Sequence, residues 1–397
     1  MVWKAFFSSY VFTHWFVSNL CNKLRDVPSP VHVIFCMVDH FEPGTGNVPV
    51  EVETERMEML LREYPRIADK HRDCCGNHPK RTWFFPPHYH RNNNLKKLVS
   101  LCERGYGEIE LHLHHGKSKP DTPANLEKTL RQCVEDYSLF GIFGTENGRK
   151  RFGFIHGDWA LNNSCSGRYC GVNNETEILR DTGCYADFTF PSKGESNPLL
   201  INRIFYAHDN PERPKAHRTG IPVRLSGKEN GGLMMIQGPV FPFSKDDTIT
   251  GLRVFGDVIN RIPVSEKRID SWVKTGIHVS GKPEWIFVKT HTHGAEDAGT
   301  VLGEGMDSIF SYMETQYNDG RGYILHYVTA REMYNIIKAV EAGEMGDDPE
   351  AYRNYRVGAP EYDSTPSCEE ASWELQGLVS ATYPYDRQDV PGIPLSA

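Results

Sequence analysis

The strongest pattern in this chain is the stretch Gly107-Glu108-Ile109-Glu110-Leu111-His112-Leu113-His114-His115-Gly116. Side chains alternate along a β-strand, so His112 and His114 share one face while Leu111 and Leu113 share the other. Histidine is the commonest metal ligand, and two imidazoles on one strand face can converge on a single ion. The alternative is a polar strand that faces solvent. The local excess of histidine favours a metal site.

Length and composition narrow the class of protein. The chain has 397 residues, enough for one large α/β barrel or two ordinary domains. Its 39% hydrophobic and 24% charged residues are typical of a folded soluble protein. A net charge of -8 and the lack of a long basic run predict that nucleic acid is not a partner. The ten cysteines lack paired CxxC motifs, which favours buried thiols in a reducing, cytoplasmic compartment.

The N-terminal segment, residues 1–30, needs a separate interpretation. Its apolar and aromatic residues recur at helical spacing, which predicts an amphipathic helix. Interspersed polar residues and the lack of a small-residue cleavage site argue against a cleavable signal peptide, and the segment is too short and polar to span a membrane. Two placements stay open: the helix packs on the rest of the protein, or it contacts a membrane surface.

Apolar strands that end in polar residues recur along residues 31–341. The run Val31–Val38 reads as a strand buried on both faces, as in a parallel sheet, and it ends in Asp39-His40-Phe41-Glu42. Later apolar runs end in similar clusters, with helical segments between them. This alternation, with about seven or eight strands, predicts a (β/α) barrel, distorted or incomplete, with its site at the carboxyl ends of the strands. Residues 342–397 have little periodicity and predict an extended C-terminal tail.

Histidine recurs at these predicted strand ends. The segments concerned are Asp39-His40, His112-x-His114-His115, His156-Gly157-Asp158-Trp159 and His291-x-His293. Independent surface histidines have no reason to follow successive strands at the same end. A hydrolytic zinc ion keeps three protein ligands and an open position, with a carboxylate as general base and an imidazole as general acid nearby. The four segments offer these groups.

The order of these elements resembles the polysaccharide deacetylase family. Met37-Val38-Asp39-His40 is similar to that family's Thr-Phe-Asp-Asp motif, and Arg81-Thr82-Trp83-Phe84-Phe85 is similar to its Ala-Thr-Phe-Phe strand. Glu108-Ile109-Glu110-Leu111-His112 resembles the start of its second metal motif, although Gly116 stands where that motif has its second histidine. Val288-Lys289-Thr290-His291 is similar to its late Leu-x-His motif.

The resemblance implies a fold, an activity and roles for particular residues. It implies a distorted (β/α)7 barrel that uses one divalent ion, zinc above all, to remove acetyl groups from an N-acetylated or O-acetylated sugar. Asp39 is then the base, His40 and His112 are metal ligands, and His291 is the acid. Whether Asp39 also binds the metal stays open. The remaining ligand is His114 or His115, and strand geometry favours His114.

Substrate contacts follow from looser matches. His156-Gly157-Asp158-Trp159 lies where the family has an Arg-x-Pro-Tyr motif that forms one wall of its active site. Tyr185-Ala186-Asp187-Phe188 resembles the family's Asp-x-Asp-Trp segment. We therefore expect a carbohydrate to contact the following residues: Asp158, Trp159, Asn162, Asp187 and His293. Other roles stay open for several of them, since Trp159 and Asn162 could brace a turn and Asp187 could orient a histidine. Glu42 could bind metal, act as an acid or simply precede Pro43.

Two other functions compete with the deacetylase. A glycosidase on a related barrel would use paired carboxylates, such as Asp39 with Asp158 or Asp187, but it does not account for the histidines. A carbohydrate- or metal-binding barrel without turnover would lack a base, and Asp39 argues against it.

Overall fold

The computed structural model describes residues 10, 11, 13, 16, 27–89, 93–192, 196–244, 252–259, 264–294, 298–344 and 346–366. Most of the predicted N-terminal helix, and the predicted tail beyond residue 366, lie outside the described residues. Val11, at the N-terminal end of the described part, packs against Ile201 and Val240. Among the helices of these ranges, none combines the length and apolar character that crossing a bilayer requires.

Strands and helices alternate along most of the described chain. The strands are β1 Val31–His40, β2 Arg81–Phe85, β3 Gly107–Leu113, β4 Gly144–Glu146, β5 Arg149–His156, β6 Cys184–Asp187, β7 Ile204–Ala207, β8 Ile221–Pro222, β9 Leu233–Ile236, β10 Phe241–Ser244, β11 Leu252–Phe255, β12 Val258–Ile259, β13 Trp285–Thr292 and β14 Tyr323–Val328. The helices are α1 Val50–Ala68, α2 Asn94–Glu103, α3 Pro123–Ser138, α4 Glu175–Thr182, α5 Glu266–Thr275, α6 Ala298–Val301, α7 Glu304–Tyr317 and α8 Ala330–Ala342. The predicted α/β class is confirmed.

One large sheet joins most of these strands in the order β12-β13-β1-β2-β3-β5-β6-β9-β7-β8, with β14 paired to β1 and β4 to β5. The pairs from β12 to β9 along this order are parallel. Their carboxyl ends therefore meet at one edge of the sheet. Strands β7 and β9 are antiparallel, and β10 and β11 form a separate antiparallel pair.

The two faces of the sheet are buried against different layers, as the apolar run of β1 predicts. Phe35 and Met37 pack in the core formed with the surrounding helices, whereas Cys36 and Val38 pack in a second core that includes α8. Because side chains alternate, the last two residues of β1, Asp39 and His40, lie on opposite faces. This alternation decides which of them reaches the site.

The polar face of β3 is buried rather than solvated. Glu108, Glu110 and His112 are 7%, 2% and 1% exposed. Glu108 pairs with Arg331 at 2.7 Å, and Glu110 accepts a hydrogen bond from the Tyr185 hydroxyl at 2.5 Å. Buried polar groups of this kind need partners, and each contact ties β3 to a neighbouring element. The strand that carries the histidines is therefore held rigidly.

Candidate functional site

Glu42, His112 and His114 form a cluster, the mouth cluster, at the carboxyl ends of β1 and β3. The Nε2 atom of His114 lies 2.9 Å from Glu42 Oε1 and 3.1 Å from His112 Nε2. His112 Nε2 is 4.0 Å from the second oxygen of Glu42. One ligand atom from each residue lies within 4.8 Å of the others, so the three side chains could hold a metal ion.

The outer nitrogens of both imidazoles are anchored. His112 Nδ1 donates to the carbonyl oxygen of Ile155 at 2.8 Å, and His114 Nδ1 donates to Asp158 Oδ2 at 2.9 Å. With a proton on Nδ1, each ring turns its Nε2 atom to the centre of the cluster, where an unprotonated Nε2 can bind a metal. Metal-binding histidines usually have such a carbonyl or carboxylate partner on the other nitrogen. This donor set therefore fits a divalent ion.

A glycine makes the approach of His114 possible. A Cβ atom on Gly157 would lie 2.3 Å from His114 Nδ1, closer than side chains tolerate. The chain passes directly over the imidazole here and then presents Asp158 to it. The dipeptide Gly157-Asp158 thus supplies both the space and the hydrogen-bond acceptor.

Burial and neighbouring charges both shift the pKa values of the mouth-cluster residues. Burial, reinforced by the neighbouring His114, lowers the pKa of His112 to about 3, so its ring is neutral. Burial also lowers the pKa of His114, but Glu42 and Asp158 outweigh it and the pKa is raised. The pKa of Glu42 is held below its usual range because His114 outweighs the effect of burial. A cation bound here would displace the proton that the Glu42 carboxylate stabilises on His114.

A wall of aromatic rings stands beside the mouth cluster. The ring of His40 lies 5.3 Å from those of His112 and His291, 4.7 Å from that of His293 and 6.3 Å from that of Trp159. Burial, and then the neighbouring imidazoles, lower the pKa of His293 to about 4 and that of His40 well below its usual value. The rings of His40 and His293 are therefore neutral at neutral pH.

His291 is oriented by a carboxylate. Its Nδ1 lies 2.8 Å from Asp257 Oδ1, and the other oxygen of Asp257 is 3.0 Å from Lys289 Nζ. Burial raises the pKa of Asp257, but His291 and Lys289 outweigh it and hold the pKa below its ordinary value. An ionised aspartate on Nδ1 fixes the tautomer of a histidine that transfers protons through Nε2. The sequence did not single out Asp257, which lies 34 residues before His291, between β11 and β12.

Asp39 lies outside the mouth cluster, beside Arg81 and Gly294. Its Oδ2 is 3.1 Å from the Arg81 guanidinium, and its Oδ1 accepts a hydrogen bond from the Gly294 amide at 2.8 Å. Because residues alternate along β1, Asp39 faces the helix layer, whereas His40 reaches the wall of rings. Among the residues that the structure describes, the carboxylate that joins His112 and His114 is that of Glu42, three residues after Asp39.

The predicted substrate contacts separate into two groups. Asp158, Trp159 and His293 lie beside the mouth cluster, and the Trp159 ring is 6.2 Å from that of His293. Asn162 is fully buried, and its side chain bonds Asn173, Asp209 and the Ala216 amide. It therefore braces loops instead of facing the mouth.

Asp187 has an internal position. It is 1% exposed and accepts hydrogen bonds from the amide and hydroxyl of Thr189, at 3.0 and 2.7 Å. The Thr189 hydroxyl in turn accepts from the backbone amide of His156 at 2.8 Å. Asp187 thus positions the strand end at His156 through Thr189.

A second group, the buried cluster, lies on the other side of β3. It consists of His115, His156, Cys170 and Glu175, and it could also hold a metal ion. The sequence placed histidines at positions 115 and 156 after strands, but no spacing motif pointed to Cys170 or Glu175. These two belong to the segment between β5 and β6, and the fold brings them to the histidines.

Comparison with known proteins gives little further guidance. No family model matches the chain, and no curated protein matches it. Among solved structures, it is similar to a 4-alpha-glucanotransferase from Thermococcus litoralis, with 15% sequence identity and a TM-score of 0.37. The match covers 75% of this chain and 39% of that one, so the chain spans about two fifths of the length of that structure. Likeness at this level carries no argument about fold or function.

Proposed function

We propose that this protein is a metal-dependent hydrolase that removes acetyl groups from an N-acetylated or O-acetylated sugar or polysaccharide. One observation carries the proposal: Glu42, His112 and His114 supply three ligand atoms at the carboxyl edge of a parallel sheet. The Glu42 side chain is 12% exposed and the adjoining Asp158 side chain is 30% exposed, so the cluster borders solvent. Three protein ligands with an accessible fourth position are the arrangement of catalytic zinc sites.

Each residue at the mouth has a distinct task in this proposal. A divalent ion, zinc above all, supplies Lewis acidity and an activated water when bound. Glu42, His112 and His114 hold it, and Asp158 orients His114. Since Asp39 is committed to Arg81, we assign the general base to Asp158, the other carboxylate at the mouth.

His291 is the proposed general acid. Asp257 holds its Nδ1, which leaves Nε2 to give a proton to the departing amine or alkoxide. The adjacent neutral rings of His40 and His293 line the space between this acid and the mouth cluster. Neutral imidazoles there do not oppose a cation electrostatically.

Trp159 supports a carbohydrate as the substrate. Its ring lies beside His40 and His293, at a position suited to stacking on a sugar ring. Its indole Nε1 is buried and has no hydrogen-bond partner within the described residues. A buried donor of this kind requires explanation, and a sugar hydroxyl would satisfy it.

We also infer that the large sheet curls into the predicted (β/α)7-type barrel. Lys289 on β13 donates to the carbonyl oxygens of Phe188 and Phe190, beyond the end of β6, at 3.0 and 2.7 Å. Strands β1, β2, β3 and β5 separate β13 from β6 in the sheet. Contact between strands so far apart in the sheet requires strong curvature, which supports a barrel.

Product analysis tests the proposal. Acetylated oligosaccharides are incubated with the zinc-loaded protein and with His112→Ala, and both acetate and new reducing ends are measured. We expect acetate without new reducing ends, lost in the variant. New reducing ends would indicate a glycosidase, and full activity after removal of the metal would overturn the proposal.

A further inference from the structure

We propose that His115, His156, Cys170 and Glu175 hold a second metal ion, a structural zinc that clamps the loop carrying Asp158 and Trp159. The four side chains come from the end of β3, the end of β5, the segment at residues 157–174 and the first turn of α4. This site does not depend on the hydrolase proposal, because it shares no residue with the mouth cluster.

The spacing of the ligand atoms fits a tetrahedral ion. The Nε2 atoms of His115 and His156 are 3.0 Å apart, and they lie 3.0 and 3.2 Å from Glu175 Oε1. Zinc bonds to nitrogen and oxygen of about 2.0–2.1 Å place neighbouring ligands of a tetrahedron about 3.3 Å apart. The three atoms thus form one face of such a site. Cys170 Sγ, 3.2 Å from Glu175 Oε2, is the fourth candidate ligand.

The histidines of this cluster are oriented as zinc ligands are. His115 Nδ1 lies 2.9 Å from Asp121 Oδ2, and His156 Nδ1 lies 2.5 Å from the carbonyl oxygen of Gly157. Both outer nitrogens therefore have oxygen acceptors, and both Nε2 atoms point inward at the same carboxylate. A histidine held by a carboxylate or carbonyl on one nitrogen and by zinc on the other is a recurrent arrangement.

Burial and ligand chemistry distinguish this site from the mouth. His115 is 8% exposed, and His156, Cys170 and Glu175 are 0% exposed. A site closed by four protein ligands is structural, whereas a catalytic site keeps one position open. The combination of two imidazoles, a thiol and a carboxylate favours zinc over magnesium or calcium, which prefer oxygen ligands only.

The clamped loop has a conformation that needs support. Asp158, Trp159, Asn162, Asn163, Ser166 and Tyr169 all have positive φ. Non-glycine residues keep such angles only where the surrounding structure imposes them. Near the other end of the loop, the Cys170 backbone packs directly against Gly116. A Cβ atom at Gly116 would lie 2.1 Å from the Cys170 carbonyl oxygen. An ion bound by the residues that flank this loop would hold Asp158 and Trp159 at the mouth.

Cobalt substitution and metal analysis test the clamp in the full chain. His112→Ala should keep one zinc per chain after treatment with a chelator, and its cobalt form should absorb in the near ultraviolet through thiolate-to-metal charge transfer. Cys170→Ser should lose that band and the retained ion. A matched control, Cys74→Ser with Cys75→Ser, should keep both, since those exposed thiols form a separate group with His326. A His112→Ala chain that retains no metal would overturn the proposal.

X-ray absorption covers the case in which Cys170→Ser does not fold. In zinc-loaded His112→Ala we expect one sulfur and three nitrogen or oxygen neighbours around the retained ion. A shell without sulfur would overturn the proposal, and so would two sulfurs, which would place the ion at Cys74 and Cys75. Neither readout measures hydrolysis, so an inactive protein that retains this ion would refute only the proposed function.

Discussion

His114 and His115 are consecutive residues whose imidazoles enter two different clusters. His114 Nε2 lies 2.9 Å from Glu42 Oε1, and His115 Nε2 lies 3.0 Å from Glu175 Oε1. Neighbouring side chains of an extended chain point to opposite faces, so one strand end can serve two sites. The choice between them as a ligand therefore has no single answer, because each belongs to a different candidate centre.

Alanine at these two positions should have opposite consequences. His114→Ala should lower acetate release at least about 100-fold, because it removes a proposed ligand. It should cost less stability than His115→Ala, because the Glu42 and Asp158 side chains that it leaves behind are 12% and 30% exposed. His115→Ala should lower the free energy of unfolding by about 1–3 kcal/mol, because it removes the buried imidazole that hydrogen-bonds both Glu175 and Asp121. Activity assays and thermal unfolding distinguish the two. Replacement of exposed His208 is the control, and equal losses of stability in both variants would contradict the expectation.

Asp39→Asn should act on stability rather than on metal binding. Asp39 and Arg81 are both fully buried, so the variant leaves an uncompensated guanidinium at a cost of about 3–5 kcal/mol. Glu42→Gln should instead release the mouth metal and abolish acetate release. Urea unfolding and metal analysis on the two variants provide the comparison. If Asp39→Asn is stable but has lost the mouth metal, Asp39 is a metal ligand after all.

His291→Gln should reduce hydrolysis of an acetylated sugar by about 10²–10⁴-fold, the usual contribution of a general acid. Metal content should not change, because His291 does not belong to the mouth cluster. An aryl acetate whose leaving group needs no proton should be hydrolysed almost as fast as by the unmodified protein. Equal losses on both substrates would show that His291 has another role.

Asp187 should make stability depend on pH. Burial raises its pKa to about 7 from the ordinary 3.8, although Thr189 partly opposes this. The folded carboxyl keeps its proton up to about pH 7, whereas the unfolded one loses it near pH 4. Its contribution to stability is therefore fully present below about pH 4 and is lost as the pH rises to 7, by at most about 1.4 kcal/mol per pH unit.

Asp187→Asn should flatten the stability profile between pH 4 and 7, which urea unfolding at several pH values measures. Asp181→Asn is the control, because the Asp181 side chain is 58% exposed. If the unmodified protein and Asp187→Asn have parallel profiles, Asp187 does not keep its proton in the folded chain.

Local patterns were enough to predict the α/β class and the face of β3 that carries histidine. Apolar runs such as Val31–Val38 require burial on both sides, and the two-residue period of a strand puts His112 and His114 together whatever surrounds them. The same rule, applied to β1, separates Asp39 from His40. The motif that resembles the family's had placed both residues at the site. Only the tertiary structure showed which of the two side chains lies beside His112.

The partners of these histidines required the tertiary structure. Glu42 reaches His114 from just beyond the end of β1, and Glu175 reaches His115 from 60 residues away. Asp257 lies in the turn between β11 and β12, and Cys170 lies in the long segment between β5 and β6, where backbone direction depends on contacts with distant elements. A repeating pattern can specify which face of a strand a side chain occupies, but the distance between two side chains from different strands depends on how the whole sheet is folded.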